Sequence, residues 1–305
     1  MTEKVSGIDL LTVRLADYDM VPTIHNDTYP AISPLNSDLS SRAVFISGAT
    51  RGLGKAMAIS FAQAGASKIA IASRGDASET VETMRAAARE AGRVEPHVLA
   101  LRLSVDQADH VDAAAQEIKE KFGRMDIVIN NAGVLAARGS SIVDTDPEEW
   151  MSNFEINMKG PYLIMRAFIP LLLSTPNGLK TVATVSSVGA HCITPGMSGY
   201  QTSKLAVLRL TEFAQAEYRD QGLLTYCIHP GNIPTAMLGG EPEGILKPIF
   251  VETAELSADS LVFLTRERRE WLGGRYVNVT WDLPELMAKE DEIVNKDMLK
   301  VRLVV

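Results

Sequence analysis

The stretch "AVFISGATRGLGKAMAISFAQAG", residues 43–65, decides the fold. Residues 43–47 form a short apolar run rich in branched side chains, the pattern of a strand buried on both faces. A turn with glycines at 48, 52 and 54 follows, and then a helical stretch that stops at Gly65. Strand, tight turn and helix in that order open an alternating α/β fold.

The alternation continues through "KIAIAS" (68–73), a helix over "ETVETMRAAAREAG", "HVLALRL" (97–103), a helix from about Ala108 to Phe122, and "MDIVIN" (125–130). In "TDPEEWMSNFEINMKGPYLIMRAF", Asp146 is an N-cap and Pro147 takes the first helical position, so a long helix is predicted. The remaining strands are "TVATVS" (181–186), "LLTYCIH" (223–229) and "RYVNV" (275–279), with a helix starting near Tyr200. The expected architecture is a Rossmann-type doubly wound parallel sheet of about seven strands with helices on both faces. Residues 41–280 form its single domain, between an N-terminal arm (1–40) carrying Pro22, Pro30 and Pro34 and a C-terminal tail (281–305). A Gly- and Pro-rich segment, about 232–252, follows the sixth strand at the edge where open α/β sheets bind ligands, and is expected to cover a substrate.

Composition narrows the function. Of 305 residues, 46% are hydrophobic and the formal charge is -8, which disfavours nucleic acid; the one short basic cluster, Arg266 to Arg269, reads as a solvated helix end. Two cysteines, Cys192 and Cys227, are too few for a disulfide framework, and five histidines lack ligand spacing, so no metal site is expected. The first twenty residues lack the apolar run of a signal peptide, and no run approaches the ~20 residues of a membrane span. A soluble, cytoplasmic protein without a membrane partner is expected.

Two local patterns carry chemistry. Glycines at 48, 52 and 54 let the backbone turn tightly and approach a pyrophosphate at the helix N-terminus. In "GYQTSK" (199–204), Tyr200 and Lys204 stand at i and i+4, on one face of a helix. Either pattern alone is weak.

Their joint order is specific. "SGATRGLG", "NNAG" (130–133), Ser186-Ser187, "YQTSK" and "HPGNIPT", each after its strand, resemble the short-chain dehydrogenase/reductase family over roughly residues 42–280, and the flanks resemble extended fungal-type members. The resemblance implies Tyr200 as general acid/base, with Lys204 lowering its pKa and holding the nicotinamide ribose. It implies Ser187, thirteen residues before Tyr200, as the hydroxyl that orients the substrate oxygen, and Asn157 as the support of a proton-relay water. The cofactor set it implies is Gly48, Thr50, Arg51, Gly52, Leu53, Gly54, Ser73, Arg74, Ser104, Val105, Asn131, Ala132, Gly133, Pro230, Gly231, Ile233 and Thr235, with Tyr200 and Lys204. Ser104-Val105 departs from the family's Asp-Val at the adenine, with Asp106 a candidate substitute and the adenine contact left open.

The second strand ends in Ser73-Arg74 rather than in an acid. With Arg51 this favours NADP(H), while Asp76 keeps NAD(H) in play. The expected activity is an NADP(H)-dependent interconversion of ketone and secondary alcohol. Met197, Met237, Leu238, Leu246 and Phe250 suggest an apolar substrate such as a secondary metabolite. The alternatives are a non-redox isomerase or cyclase, or a non-catalytic nucleotide-binding regulator. The resemblance also implies a homodimer or homotetramer.

Overall fold

A computed structural model of the chain describes residues 19–238 and 248–303. Seven parallel strands form one sheet in the order β3-β2-β1-β4-β5-β6-β7: β1 Ala43–Ser47, β2 Lys68–Ser73, β3 His97–Arg102, β4 Ile127–Asn130, β5 Thr181–Val185, β6 Leu224–His229 and β7 Tyr276–Asn278. The register pairs Phe45 with Ala70 on one side and with Val128 on the other.

Alternation within each strand builds two cores. Val44, Ile46, Ile69 and Ile71 enter one apolar layer, while Ala43, Phe45, Ala70 and Ala72 enter the other. Both faces are covered, so β1, β5 and β6 are buried at every residue. β3 differs from the continuous buried run expected of it: as an edge strand it has β2 on one side only and is partly exposed along its length.

The helices are α1 Gly52–Gln63, α2 Ser78–Glu90, α3 Ala108–Phe122, α4 Pro147–Phe154, α5 Gly160–Ser174, α6 Ser198–Tyr218, α7 Ala254–Thr265, α8 Leu283–Met287 and α9 Glu290–Asn295. Asp146 caps α4, accepting from the Glu148 and Glu149 N–H groups at 2.9 Å. The long helix expected from Pro147 onward is interrupted by a π-helical turn, Glu155–Lys159.

Residues from 19 onward pack against the C-terminal segment. Ile32 and Leu39 are fully buried, Tyr29 Oη accepts from Leu283 N at 2.8 Å, and His25 pairs with Asp282 at 2.9 Å. Trp281, Leu283, Leu286 and Ile293 close the same layer. No helix among the described residues is long and apolar enough to cross a membrane.

Candidate active site

The sheet order reverses between β1 and β4, whose neighbours lie on opposite sides, and the crevice opens at their C-terminal ends. Gly48 turns there with φ +70°, and a Cβ on it would sit 3.0 Å from Ala132 Cα. Asn131 ties the two strand ends: its amide donates to the carbonyls of Ser47 (2.9 Å) and Gly48 (3.2 Å), and Ser47 Oγ accepts from the Asn131 and Ala132 N–H groups. Gly54 is the tightest point, where a Cβ would lie 2.3 Å from Gly48 O and 2.5 Å from Asn131 Nδ2. The first turn of α1 therefore lies directly on bare backbone, as a helix N-terminus must if an anion is to reach its free N–H groups.

The other wall belongs to the helices. The π turn places Asn157 so that its Oδ1 accepts from Val134 N (2.8 Å) and its Nδ2 donates to Val134 O (2.9 Å) and Ser203 Oγ (3.0 Å). Lys204 Nζ donates to Val185 O at 2.8 Å. A Cβ on Gly133 would fall 3.3 Å from Asn157 Oδ1 and 3.6 Å from Lys204 Nζ, so this glycine packs closely against both side chains, and Lys204 is buried. Ser187 Oγ accepts from Gly189 N at 3.0 Å, and its hydroxyl is close enough to Tyr200 to pull the phenol's pKa down. Its neighbour Ser186 points away, donating to Lys204 O. Gly52 faces Thr235, with 3.8 Å between its would-be Cβ and Thr235 Cγ2, so the glycine turn and the loop after β6 meet across the crevice.

Electrostatics correct one expectation. Burial pushes the Tyr200 phenol above its ordinary value and only the Ser187 hydrogen bond opposes it, whereas the sequence argument expected lowering by Lys204. Burial outweighs the Ser187 contribution, and Lys204 Nζ, 5.8 Å from the Tyr200 ring centroid, donates to Val185 O. Burial pulls Lys204 itself down to about 8, against a small opposing effect of the Cys227 thiol.

Other anticipated residues lie around the rim or outside it. Arg51 and Arg74 are exposed and make no ion pair among the described residues, while Ser73 Oγ donates to Gly75 O. Asp76 is committed to helix α2, accepting from Ser78 N and Oγ. Ser104 Oγ donates to Asp106 (2.5 Å), and Val105 is buried against Gly160. Thr50 O accepts from Thr80 Oγ1, and Leu53 packs against the core. Pro230 and Ile233 are half-buried, and Gly231 turns with φ +87° against Glu252. Residues 239–247, including Leu246, and the Leu238 side chain lie outside the described residues; Met197 and Phe250 are half-buried and Met237 is exposed.

Sequence reasoning missed two supports. Asn153 is fully buried and bonds Ala136, and the buried Glu252 carboxylate accepts from Asn232 N at 2.9 Å. A second asparagine four residues before Asn157 was the available signal for the first; the second has none, because Glu252 reaches its partner across twenty residues.

The short chain dehydrogenase family model matches residues 42–245, and the chain belongs to that family, whose members are oxidoreductases on a fold that binds nicotinamide nucleotides. It is 52% identical to short chain dehydrogenase pigC of Monascus ruber over 291 residues, covering 94% of this chain and 95% of that one, which bears out the fungal-type resemblance. In fold it is similar to carveol dehydrogenase from Mycobacterium avium in complex with NAD (TM-score 0.69, 20% identity, 80% and 98% covered). It is likewise similar to an alcohol dehydrogenase from Thermococcus sibiricus complexed with 5-hydroxy-NADP (TM-score 0.63, 24% identity, 74% and 91% covered).

Proposed function

We propose that the protein is an NADP(H)-dependent oxidoreductase that interconverts a ketone and a secondary alcohol on an apolar small molecule. The observation that carries this reading is the convergence of Ser187, Tyr200, Lys204 and Asn157 on one crevice with the Gly48–Gly54 turn. The nicotinamide nucleotide, when bound, supplies or takes up the hydride. The turn, with Asn131 locking it, would hold the pyrophosphate, and Lys204 beside Gly133 would hold the nicotinamide ribose.

The chain's own chemistry is proton handling. A phenol raised by burial is protonated at neutral pH and is fit to donate to a carbonyl oxygen. Ser187, anchored by Gly189 N, keeps a hydroxyl against Tyr200 and would orient that oxygen. Asn157 supports the far end by fixing Val134 and Ser203. Lys204, held near 8, exchanges its proton close to neutral pH and would return one toward Tyr200 through water.

Exposed Arg51 and Arg74, without an ion pair among the described residues, favour the extra phosphate of NADP(H), while the Asp76 carboxylate is engaged by Ser78 at the start of α2. Half-buried Met197 and Phe250 with exposed Met237 support an apolar substrate, with secondary metabolites as the class. Exposed Met151, Tyr162, Leu205 and Phe213 on α4, α5 and α6 support a homodimer or homotetramer, which light scattering tests. A cytoplasmic location is part of the same reading.

The first experiment is a fluorescence titration with NADPH and NADH, on the wild type and on Arg74→Glu. NADPH is expected to bind about 10-fold or more tighter, with the preference collapsing in the variant. Tighter NADH binding would refute the NADP(H) assignment, and no binding of either would refute the reading as a whole.

A further inference from the structure

We propose that Asn153 is a positioning residue for the carbonyl substrate, acting as a second clamp beside Asn157; this rests on the crevice being the carbonyl site. Asn153 Oδ1 accepts from Ala136 N at 3.1 Å and its Nδ2 donates to Ala136 O at 3.1 Å. Asn157 grips Val134 in the same two-bonded way, at 2.8 and 2.9 Å. Side chains four apart on a helix stand on one face, and residues two apart on an extended chain point the same way, so the two amides act as the paired strand that residues 134–136 lack.

Three neighbours show what the clamp fixes. Ala137, the next residue, has φ +55°, a conformation that a non-glycine residue keeps only when its surroundings impose it. Gly139 N donates to Gly196 O at 2.8 Å, joining this wall to the segment that leads into α6. A Cβ on Gly199 would lie 2.9 Å from Asn153 Nδ2, so the amide rests against the backbone immediately before Tyr200. Asn153 thus sets the spacing between the 134–137 wall and the phenol, away from the glycine turn.

Asn153→Asp tests this. It keeps the shape and one acceptor, removes the donor, and sets a carboxylate against the carbonyls of Ala136 and Trp150. With 1-decalone and cyclohexanone as probes, kcat is expected to fall about 10- to 100-fold while NADPH affinity stays within about twofold. The variant-to-wild-type ratio should rise as pH falls, because a protonated acid regains the donor. Unchanged kcat, or cofactor affinity lost in parallel with it, would overturn the proposal.

Hydrogen exchange on the wild-type protein decides the matter should the variant not fold. The Ala136 amide is expected to be protected like that of Val134, and exchange at the rate of an open chain would overturn the clamp. Wild-type protein inactive on every carbonyl probe would instead refute the reading of the crevice, leaving the exchange result to judge Asn153.

Discussion

Replacing Gly54 by alanine is expected to weaken nucleotide binding as well as folding. The added methyl would stand 2.3 Å from Gly48 O, 2.5 Å from Asn131 Nδ2 and 2.9 Å from Gly48 C. That is about 1 Å inside ordinary contact, and two of the three atoms are backbone that cannot rotate away. Either the first turn of α1 or the Gly48 turn must move by roughly that amount, at a cost of about 1–3 kcal/mol. The expected fall in Tm is a few degrees, at about 2–4 °C per kcal/mol. Binding should suffer too, because N–H groups displaced by about 1 Å lose their aim: NADPH affinity is expected to drop about 10- to 100-fold. Gly75→Ala is the control, since a Cβ there meets nothing within 4 Å. The assay is nucleotide fluorescence titration beside thermal unfolding. A Gly54→Ala protein with wild-type Tm and affinity would refute the reasoning.

Two further predictions concern pH. The folded protein releases the Lys204 proton near 8 and the unfolded chain near 10.5, so the stability this buried ammonium withholds below pH 8 returns as pH rises between those values. Lys204→Met should therefore be more stable than wild type at pH 7, by roughly 1–3 kcal/mol in denaturant unfolding, with the gap closing toward pH 10.5. His229, buried with neither ring nitrogen bonded among the described residues, is pushed by burial down to about 3 from 6.5. The unfolded chain then binds a proton that the folded one refuses, so stability is lost as pH falls from 6.5 toward 3, and His229→Leu should flatten that acid limb in unfolding curves.

The sheet was legible because each strand is both short and apolar while the turn after β1 carries its own glycines; β1, β2, and the starts of β3 and α3 fall at their expected residues. Proximity across the crevice was legible only through the family resemblance, since nothing local brings Gly52 to Thr235 or Gly133 to Lys204. The π turn was not legible: it arises where the Asn157 amide bonds Val134, twenty-three residues away, and periodicity does not register such a contact. The Tyr200 shift failed for a related reason. Spacing placed an ammonium on the same helix face, but the direction depends on burial and on the Val185 carbonyl that takes the Lys204 amine. The packing of residues 19–40 was equally hidden, because Ile32 and Leu39 are isolated apolar residues in a polar stretch and find their partners only in the folded core.

The central claim is that Tyr200 moves the proton that accompanies hydride transfer. The most direct test is steady-state NADPH oxidation by wild type and Tyr200→Phe with 1-decalone, with NADPH binding measured on both proteins. The account predicts turnover reduced about 100-fold or more with NADPH affinity unchanged, because the phenol hydroxyl is lost while the ring remains. Turnover at the wild-type rate would contradict it.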